Sequence, residues 1–470
     1  MDKKKFLKTK IIATIGPSSK DEKTLLQMIK NGMSVARLNF SHGKYEDHIE
    51  VIKKIRKLSE SENIPVAILQ DLCGPKIRLC NMTEPLNIKK NALIKISVFK
   101  KEKADLYTDF KELVKIVKKD NTILIDDGYI ELEVIDIDKK CITCKVIVPG
   151  IVKSRKGINL PDISFSIPVF TEKDKADLEF GLEHGVDMVA MSFVDSPSNI
   201  IPIKKIMRKF SKDIPVIAKI ERKKALENIN KIIDKFDGIM IARGDLGVEV
   251  PPEKVPLIQK ELINLANSKN KLVITATQML ESMISNPRPT RAEASDVSNA
   301  IIDGTDCVML SGETAIGKYP VKAVNMMKKI AIFTEKSDLY KSLPKKNREK
   351  IDHTEAIAKS ACEIASELSA KFILVFTYSG KTALILSKYR PHCPIFAFTP
   401  QKDAVLKMAS YWGVSPIYIE FTPHTDEMIL KGEELLKIKK FAKKGDLIVT
   451  SAGVTPMKGA TNMIRISKIS

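Results

Sequence analysis

Residues 215–247 hold the side-chain types that can do chemistry. They read Pro-Val-Ile-Ala-Lys-Ile-Glu, then a short polar helix, then Asp-Gly-Ile-Met-Ile-Ala-Arg-Gly-Asp-Leu-Gly. Two apolar runs, 216–220 and 238–242, are short and rich in branched residues, as strands buried on both faces are. Lys219 and Glu221 close the first run, and Arg243 and Asp245 close the second. Cations and carboxylates thus gather where two parallel strands stop, the edge at which α/β folds bind ligands. Two carboxylates on neighbouring strand ends can hold a hard divalent ion, and a lysine beside them can stabilise charge on a group in transfer. An ion pair of purely structural use would draw on the same residue types, so the neighbouring elements must decide.

Those elements repeat a βα rhythm. Strands are expected at 10–15, 33–38, 65–69, 186–191, 216–220, 238–242, 271–276 and 307–310, with a helix at 45–61 after the second. Ser19 and Glu22 have capping-box spacing for the helix after the first. Eight such units predict a (β/α)8 barrel, an α/β fold. The polar groups of interest fall at strand C-terminal ends: Arg37 and Asn39, Asp71, Ser192, Lys219 and Glu221, Arg243 and Asp245, Thr277, Ser311 and Glu313. That is the face on which such barrels carry their chemistry.

The rhythm breaks once. Alternating patterns at 92–99, 122–125, 129–135 and 142–148 predict an all-β insertion, and its basic exit at 153–161 is expected to act as a hinge beside an anionic ligand. A charged linker is expected at 335–352, then a helix at 354–369 and strands at 372–376, 395–398 and 447–451. The loop Thr377-Tyr-Ser-Gly-Lys-Thr382 opens a helix there, a setting that suits phosphate without Walker A spacing. The expected domains are 1–73 with 161–334 as the barrel, 74–160 as the lid and 335–470 as a C-terminal α/β unit.

Composition narrows the classes. A chain of 470 residues admits about three domains of ~150 residues. Lys plus Arg number 78 against 58 Asp plus Glu, a net +20, which fits either nucleic acid or an anionic substrate. The lysines are scattered and no aromatic-interleaved basic block occurs, so nucleic acid is not the expected partner. Seven cysteines are too few for a disulfide scaffold, and the single Cys141/Cys144 pair has no second cluster that would complete a zinc site. No apolar run approaches the ~20 residues of a membrane span. A soluble cytoplasmic protein is expected.

Seven stretches resemble, in order, the motifs of the pyruvate kinase family: Thr9-Lys-Ile-Ile-Ala-Thr-Ile-Gly-Pro-Ser-Ser19, Val35-Ala-Arg-Leu-Asn-Phe-Ser-His-Gly43, Ala218-Lys-Ile-Glu221, Ile241-Ala-Arg-Gly-Asp-Leu-Gly247, Ala276-Thr-Gln-Met-Leu-Glu-Ser-Met283, Pro287-Arg-Pro-Thr-Arg-Ala-Glu293 and Met309-Leu-Ser-Gly-Glu-Thr-Ala315. The resemblance spans the whole chain. It implies a barrel with an inserted β lid, a C-terminal regulatory domain, a homotetramer, and transfer of the phosphoryl group of phosphoenolpyruvate to ADP. It further implies Glu221 and Asp245 as ligands of Mg²⁺ or Mn²⁺, Lys219 and Arg37 on the phosphoryl group, and the N–H groups of Gly244 and Asp245 on the substrate carboxylate. Thr277 falls on the enolate-protonating face, acting through water, with Ser311 and Glu313 on the same rim. His42, Arg78, Lys156 and Asn159 match the ADP side, and Ser379, Gly380, Lys381 and Thr382 match the site of a sugar-phosphate or nucleotide effector, which residues 453–462 would close.

The stretch Asp71-Leu-Cys-Gly-Pro-Lys76-Ile-Arg-Leu79 departs from the common family pattern. Lys76 stands in place of a glutamate, and Leu72 and Leu79 in place of threonines, as in the potassium-independent branch. Asn39, Ser41, Asp71 and Leu72 would line a monovalent site, with the Lys76 ammonium replacing K⁺. Lys223-Lys224 is a further departure, outside the implied site. The competing readings are another phosphoenolpyruvate-using barrel, such as a mutase or carboligating lyase, and a binding protein without catalysis. The inserted lid opposes the first, and intact Lys219, Glu221, Asp245 and Thr277 oppose the second.

Overall fold

Eight short parallel strands close into a barrel in chain order: Lys10–Thr14, Met33–Asn39, Ala67–Asp71, Met188–Met191, Val216–Ile220, Gly238–Ala242, Leu272–Ala276 and Cys307–Leu310, the last pairing with the first. The computed structural model describes residues 6–99, 102–161, 168–341, 352–453 and 461–469. The strands are almost wholly buried because their inner faces fill the barrel and their outer faces meet the surrounding helices. Ile12, Val35, Leu69, Ala190, Ile217, Ile274 and Met309 belong to one apolar cluster, and their neighbours Ile11, Ala36, Ile68, Val189, Ala218, Val273 and Val308 to another.

This alternation has a consequence at the strand ends. Side chains along a strand change face at every residue, so Arg37 and Asn39 share the inward face of Val35, and Asp71 that of Leu69. By the same count Ser192 follows Ala190, and Lys219 and Glu221 follow Ile217. Four of the eight strands therefore deliver polar side chains into one mouth.

Between the third and fourth strands the chain forms a six-stranded sheet in the order Ile158–Asn159, Thr122–Ile125, Ile130–Ile137, Cys141–Val148, Leu93–Ser97 and Leu106–Tyr107, with a small two-stranded sheet beside it. Its core is aliphatic, drawn from residues such as Ile96, Ile123, Leu132 and Val146. The root of this insertion is pinned to the barrel, since the Gly74 N–H donates to Asp174 Oδ1 at 3.0 Å. Gly74 takes φ +66°, and a Cβ there would lie 2.8 Å from the Phe193 ring, so only glycine fits the turn.

The C-terminal sheet runs Val414–Tyr418, Ile395–Thr399, Phe372–Phe376, Leu447–Gly453, Thr461–Lys468, the last strand antiparallel. Both edge strands were absent from the sequence reading. One contains Pro416, a residue that edges tolerate, and the other carries Asn462, Arg465 and Lys468, which blur its alternation.

Two local expectations are corrected. The first helix, Glu22–Lys30, is capped by Asp21, whose carboxylate accepts from Thr24 N, while Ser19 Oγ accepts from Gly16 N and closes the preceding turn. The expected linker at 335–352 begins inside the helix Pro320–Lys336 and continues into Asp338–Lys341. Glu335 is buried because its carboxylate accepts from the N–H groups of Lys8 and Thr9 at 3.2 and 2.6 Å. Residues 342–351 lie outside the described set. Among the described residues no helix is long and apolar enough to cross a membrane.

Candidate active site

Lys219 is the junction of the barrel mouth. Its ammonium lies 2.8 Å from Glu221 Oε1 and 3.3 Å from Asp71 Oδ1, and it donates to Ser192 Oγ at 2.8 Å. Arg37 reaches the same Asp71 from the second strand, donating from Nε to Oδ2 at 2.7 Å, while its Nη1 donates to Thr14 Oγ1 at 2.8 Å. Thr14 was not singled out from the sequence, although it sits at the inward position next after Ile12. Ser192 is held in turn, donating to the Leu72 carbonyl at 2.7 Å.

The electrostatics follow from burial and pairing. Burial alone would push the Asp71 carboxyl up, but Lys219 and Arg37 outweigh it and hold the group below the usual aspartate range. Burial works against the Lys219 charge as well, yet Asp71, Glu221 and Asp245 together keep the ammonium firmly protonated. Glu221 is pushed upward by burial and by the like charge of Asp245, against the pull of Lys219. A buried carboxylate of this kind calls for cationic company. It also accepts from the Phe193 N–H at 2.7 Å, a donor aimed by the positive φ of Phe193, 56°.

The opposite wall is the helix Arg243–Glu249 and the turn after the seventh strand. Gly244 N–H donates to Thr277 Oγ1 at 2.8 Å, and that hydroxyl donates to the Ala276 carbonyl at 2.6 Å. Asp245 receives the ammonium of Lys76 at 3.3 Å. A cleft of about 220 Å³ joins Lys76, Gly244, Asp245, Thr277, Ser311 and Glu313. Glu313 serves the backbone rather than the cleft, accepting from Leu280 N and Ser311 N at 3.0 and 2.7 Å. Ser311 Oγ is buried without a hydrogen-bond partner.

Glu221 and Asp245 fit a hard divalent ion. Both are carboxylates, each already faces an ammonium, and burial together with their mutual repulsion raises Glu221. Two protein oxygens leave the remaining positions to water and substrate, as Mg²⁺ prefers. Among the described residues no group of three or more His, Cys, Asp or Glu is placed to hold a metal.

Comparison with known proteins identifies the family. The chain matches the family model "Pyruvate kinase, barrel domain" over residues 6–324 and "Pyruvate kinase, alpha/beta domain" over 355–467. The chain belongs to the pyruvate kinase family. It is 45% identical over 469 residues to the pyruvate kinase of Staphylococcus saprophyticus subsp. saprophyticus, covering 98% of this chain and 80% of the relative. It is 43% identical over 470 residues to that of Clostridium acetobutylicum, covering 98% and 99%.

Of the four residues expected on the ADP side, Arg78, Lys156 and Asn159 belong to the inserted segment and His42 to the loop after the second barrel strand. Burial lowers the His42 pKa, and the nearby charges of Arg78, Arg37, Lys76 and Arg155 lower it further, so a cationic rim faces that loop. Arg78 donates to the Arg155 carbonyl at 3.2 Å, and Lys156 is engaged with Asp126 at 2.6 Å. Asn159 Oδ1 is buried without a partner, in a residue lining a cleft of about 450 Å³ shared with Lys76, Phe193 and Arg222.

For the monovalent set, Asn39 Oδ1 accepts from Ser41 N at 3.1 Å, Asp71 is taken by Arg37 and Lys219, and the Leu72 carbonyl is taken by Ser192. The Leu72 and Leu79 side chains are core residues. In the C-terminal domain, Ser379, Lys381 and Thr382 line a cleft of about 250 Å³ with Phe376, Phe398 and Thr461. Gly380, at φ +84°, opens the helix Lys381–Lys388, and Thr382 Oγ1 meets Thr461 Oγ1 at 2.8 Å. Of residues 453–462, only 453, 461 and 462 fall in the described set.

Proposed function

We propose that the Lys219 ammonium is the hub of phosphoryl transfer in this chain. The chain is a phosphotransferase that moves the phosphoryl group of phosphoenolpyruvate to ADP, giving ATP and pyruvate. The single observation that carries the assignment is the convergence of Asp71, Ser192 and Glu221 on Lys219 Nζ within 3.3 Å. Such a preorganised, desolvated charge is worth most when the transferring group gathers negative charge. Arg37, braced by Asp71 and Thr14, grips the phosphate with a planar donor fork. The N–H groups of Gly244 and Asp245 hold the substrate carboxylate, which requires Gly244 N–H to leave Thr277 Oγ1. The hydroxyl released in that exchange lies on the face where the enolate is protonated, through a water molecule.

Glu221 and Asp245 hold Mg²⁺ or Mn²⁺, which when bound neutralises charge on the transferring group. His42, Arg78, Lys156 and Asn159 receive ADP, for which Lys156 must exchange Asp126 for a phosphate. Lys76 supplies the positive charge that other members of the family take from K⁺. Its support is a side chain only 24% exposed, turned to Asp245 rather than to water.

Residues 1–73 and 161–334 form the catalytic domain, 74–160 a lid over it, and 335–470 a regulatory domain. In the last, Ser379, Gly380, Lys381 and Thr382 bind a sugar-phosphate or nucleotide effector. The enzyme works as a cytoplasmic homotetramer. The test is purified protein with phosphoenolpyruvate, ADP and Mg²⁺, assayed for ATP and pyruvate. Equal yields of both support the reading, and product absent under all metal conditions overturns it.

A further inference from the structure

Two consecutive residues of the barrel mouth are held in a left-handed backbone. Thr277 has φ 66° and Gln278 φ 53°, and Thr277 is the one β-branched residue among the described non-glycine residues with positive φ. For a β-branched residue this is a strained conformation that survives only when its surroundings over-determine it. The Thr277 hydroxyl is held by the Gly244 N–H and the Ala276 carbonyl, and the two strained carbonyls by one side chain. Arg243 donates from Nη2 to the Thr277 carbonyl at 2.7 Å and to the Gln278 carbonyl at 3.2 Å, with Nε also facing the Thr277 carbonyl at 3.3 Å. Its remaining nitrogen, Nη1, donates to Asp296 Oδ1 at 2.7 Å and to Gln259 Oε1 at 3.3 Å.

The guanidinium therefore ties the end of the sixth strand to three other elements. It leaves the end of the sixth strand, clamps the turn after the seventh, and anchors on the helices Val255–Ser268 and Arg291–Asp303. The Arg243 side chain is only 10% exposed, so most of the fork is turned to protein partners. Because Thr277 Oγ1 is fixed by the backbone that Arg243 holds, the clamp decides where that hydroxyl stands.

We propose that Arg243, anchored by Asp296, is a positioning residue for Thr277 in enolate protonation. The proposal rests on the protonation role assigned to Thr277 above. Arg243 touches neither substrate nor metal in this assignment. A lysine keeps the charge but cannot satisfy two carbonyls and a carboxylate in one plane.

The test compares Arg243→Lys, Asp296→Asn and Thr277→Ala with the wild-type full chain in Mg²⁺. Two quantities are measured: steady-state kcat with KM for phosphoenolpyruvate, and uptake of solvent deuterium into the pyruvate methyl group in the presence of ATP, the reverse of enolate protonation. A misplacement of this kind predicts that Arg243→Lys slows both kcat and deuterium uptake by about 10–100-fold, with KM within about twofold. Asp296→Asn, which loosens the anchor and leaves the clamp chemically intact, is expected to slow deuterium uptake in the same direction by a smaller factor. Reduced uptake in Thr277→Ala with normal uptake in both Arg243→Lys and Asp296→Asn overturns the clamp alone. Normal uptake in Thr277→Ala overturns the Thr277 assignment and the clamp with it. A loss in Arg243→Lys or Asp296→Asn that appears as a raised KM at unchanged kcat also overturns the proposal, because it marks a general disturbance of the site.

Discussion

The ammonium of Lys76 lies 3.3 Å from Asp245 Oδ1, so the inserted domain places a positive charge on a carboxylate in the first turn of the helix after the sixth barrel strand. A Cβ on Gly157 would sit 3.2 Å from Lys76 Cε, and this close backbone helps confine the side chain. On the proposed reading this ammonium takes the place of a monovalent cation.

Activity is expected without potassium. With tetramethylammonium as the only monovalent cation and ionic strength held fixed, adding K⁺ should change kcat little. Lys76→Glu should lose activity in that buffer and regain part of it with K⁺. Stimulation of the wild type by tenfold or more, ~1.4 kcal/mol, contradicts the substitution of ammonium for ion.

Asp71 carries two cations on one buried carboxylate, and its removal should be felt in stability. Asp71→Asn leaves Arg37 without its ionic partner and is expected to cost about 3–5 kcal/mol near neutral pH, measured by urea unfolding. The folded carboxyl titrates below the unfolded value of 3.8, so its contribution is complete above that value and is lost only as pH falls below it. The difference between wild type and variant should therefore be level from about pH 7 to about pH 5. A difference that fades across that window contradicts the pairing.

The C-terminal cleft offers Ser379, Lys381 and Thr382 beside an apolar wall of Phe376 and Phe398. Replacing Ser379 and Thr382 by alanine should abolish activation by sugar phosphates or nucleotides and leave unstimulated kcat within about twofold, since neither the half-buried Ser379 nor the buried Thr382 is part of the barrel mouth. Activation that persists unchanged would place the effector elsewhere.

Much of the barrel was legible because its signal is local. Buried parallel strands read as short branched runs, and the two-residue period carries the reading past Ile217 to Lys219 and Glu221 and past Val35 to Arg37. Contacts between distant segments were not legible. Glu335 reads as part of a charged linker because the N–H groups that bury it belong to Lys8 and Thr9, 327 and 326 positions away. The Arg243 clamp was hidden for a different reason. A threonine gives no warning of a left-handed backbone, since the conformation is imposed by Arg243 and not preferred by Thr277. Ser19 and Asp21 both suit a helix start, and only the geometry shows that Asp21 caps it while Ser19 closes the turn.

The central claim is that Lys219 acts on charge in flight, and the split between kcat and KM in Lys219→Ala tests it most directly. Loss of a comparable preorganised donor costs ~2.7–4 kcal/mol, or about 10²–10³ in rate. The expected result is a fall of that size in kcat with KM for phosphoenolpyruvate nearly unchanged. A variant that turns over at the wild-type rate and shows only a raised KM contradicts the account.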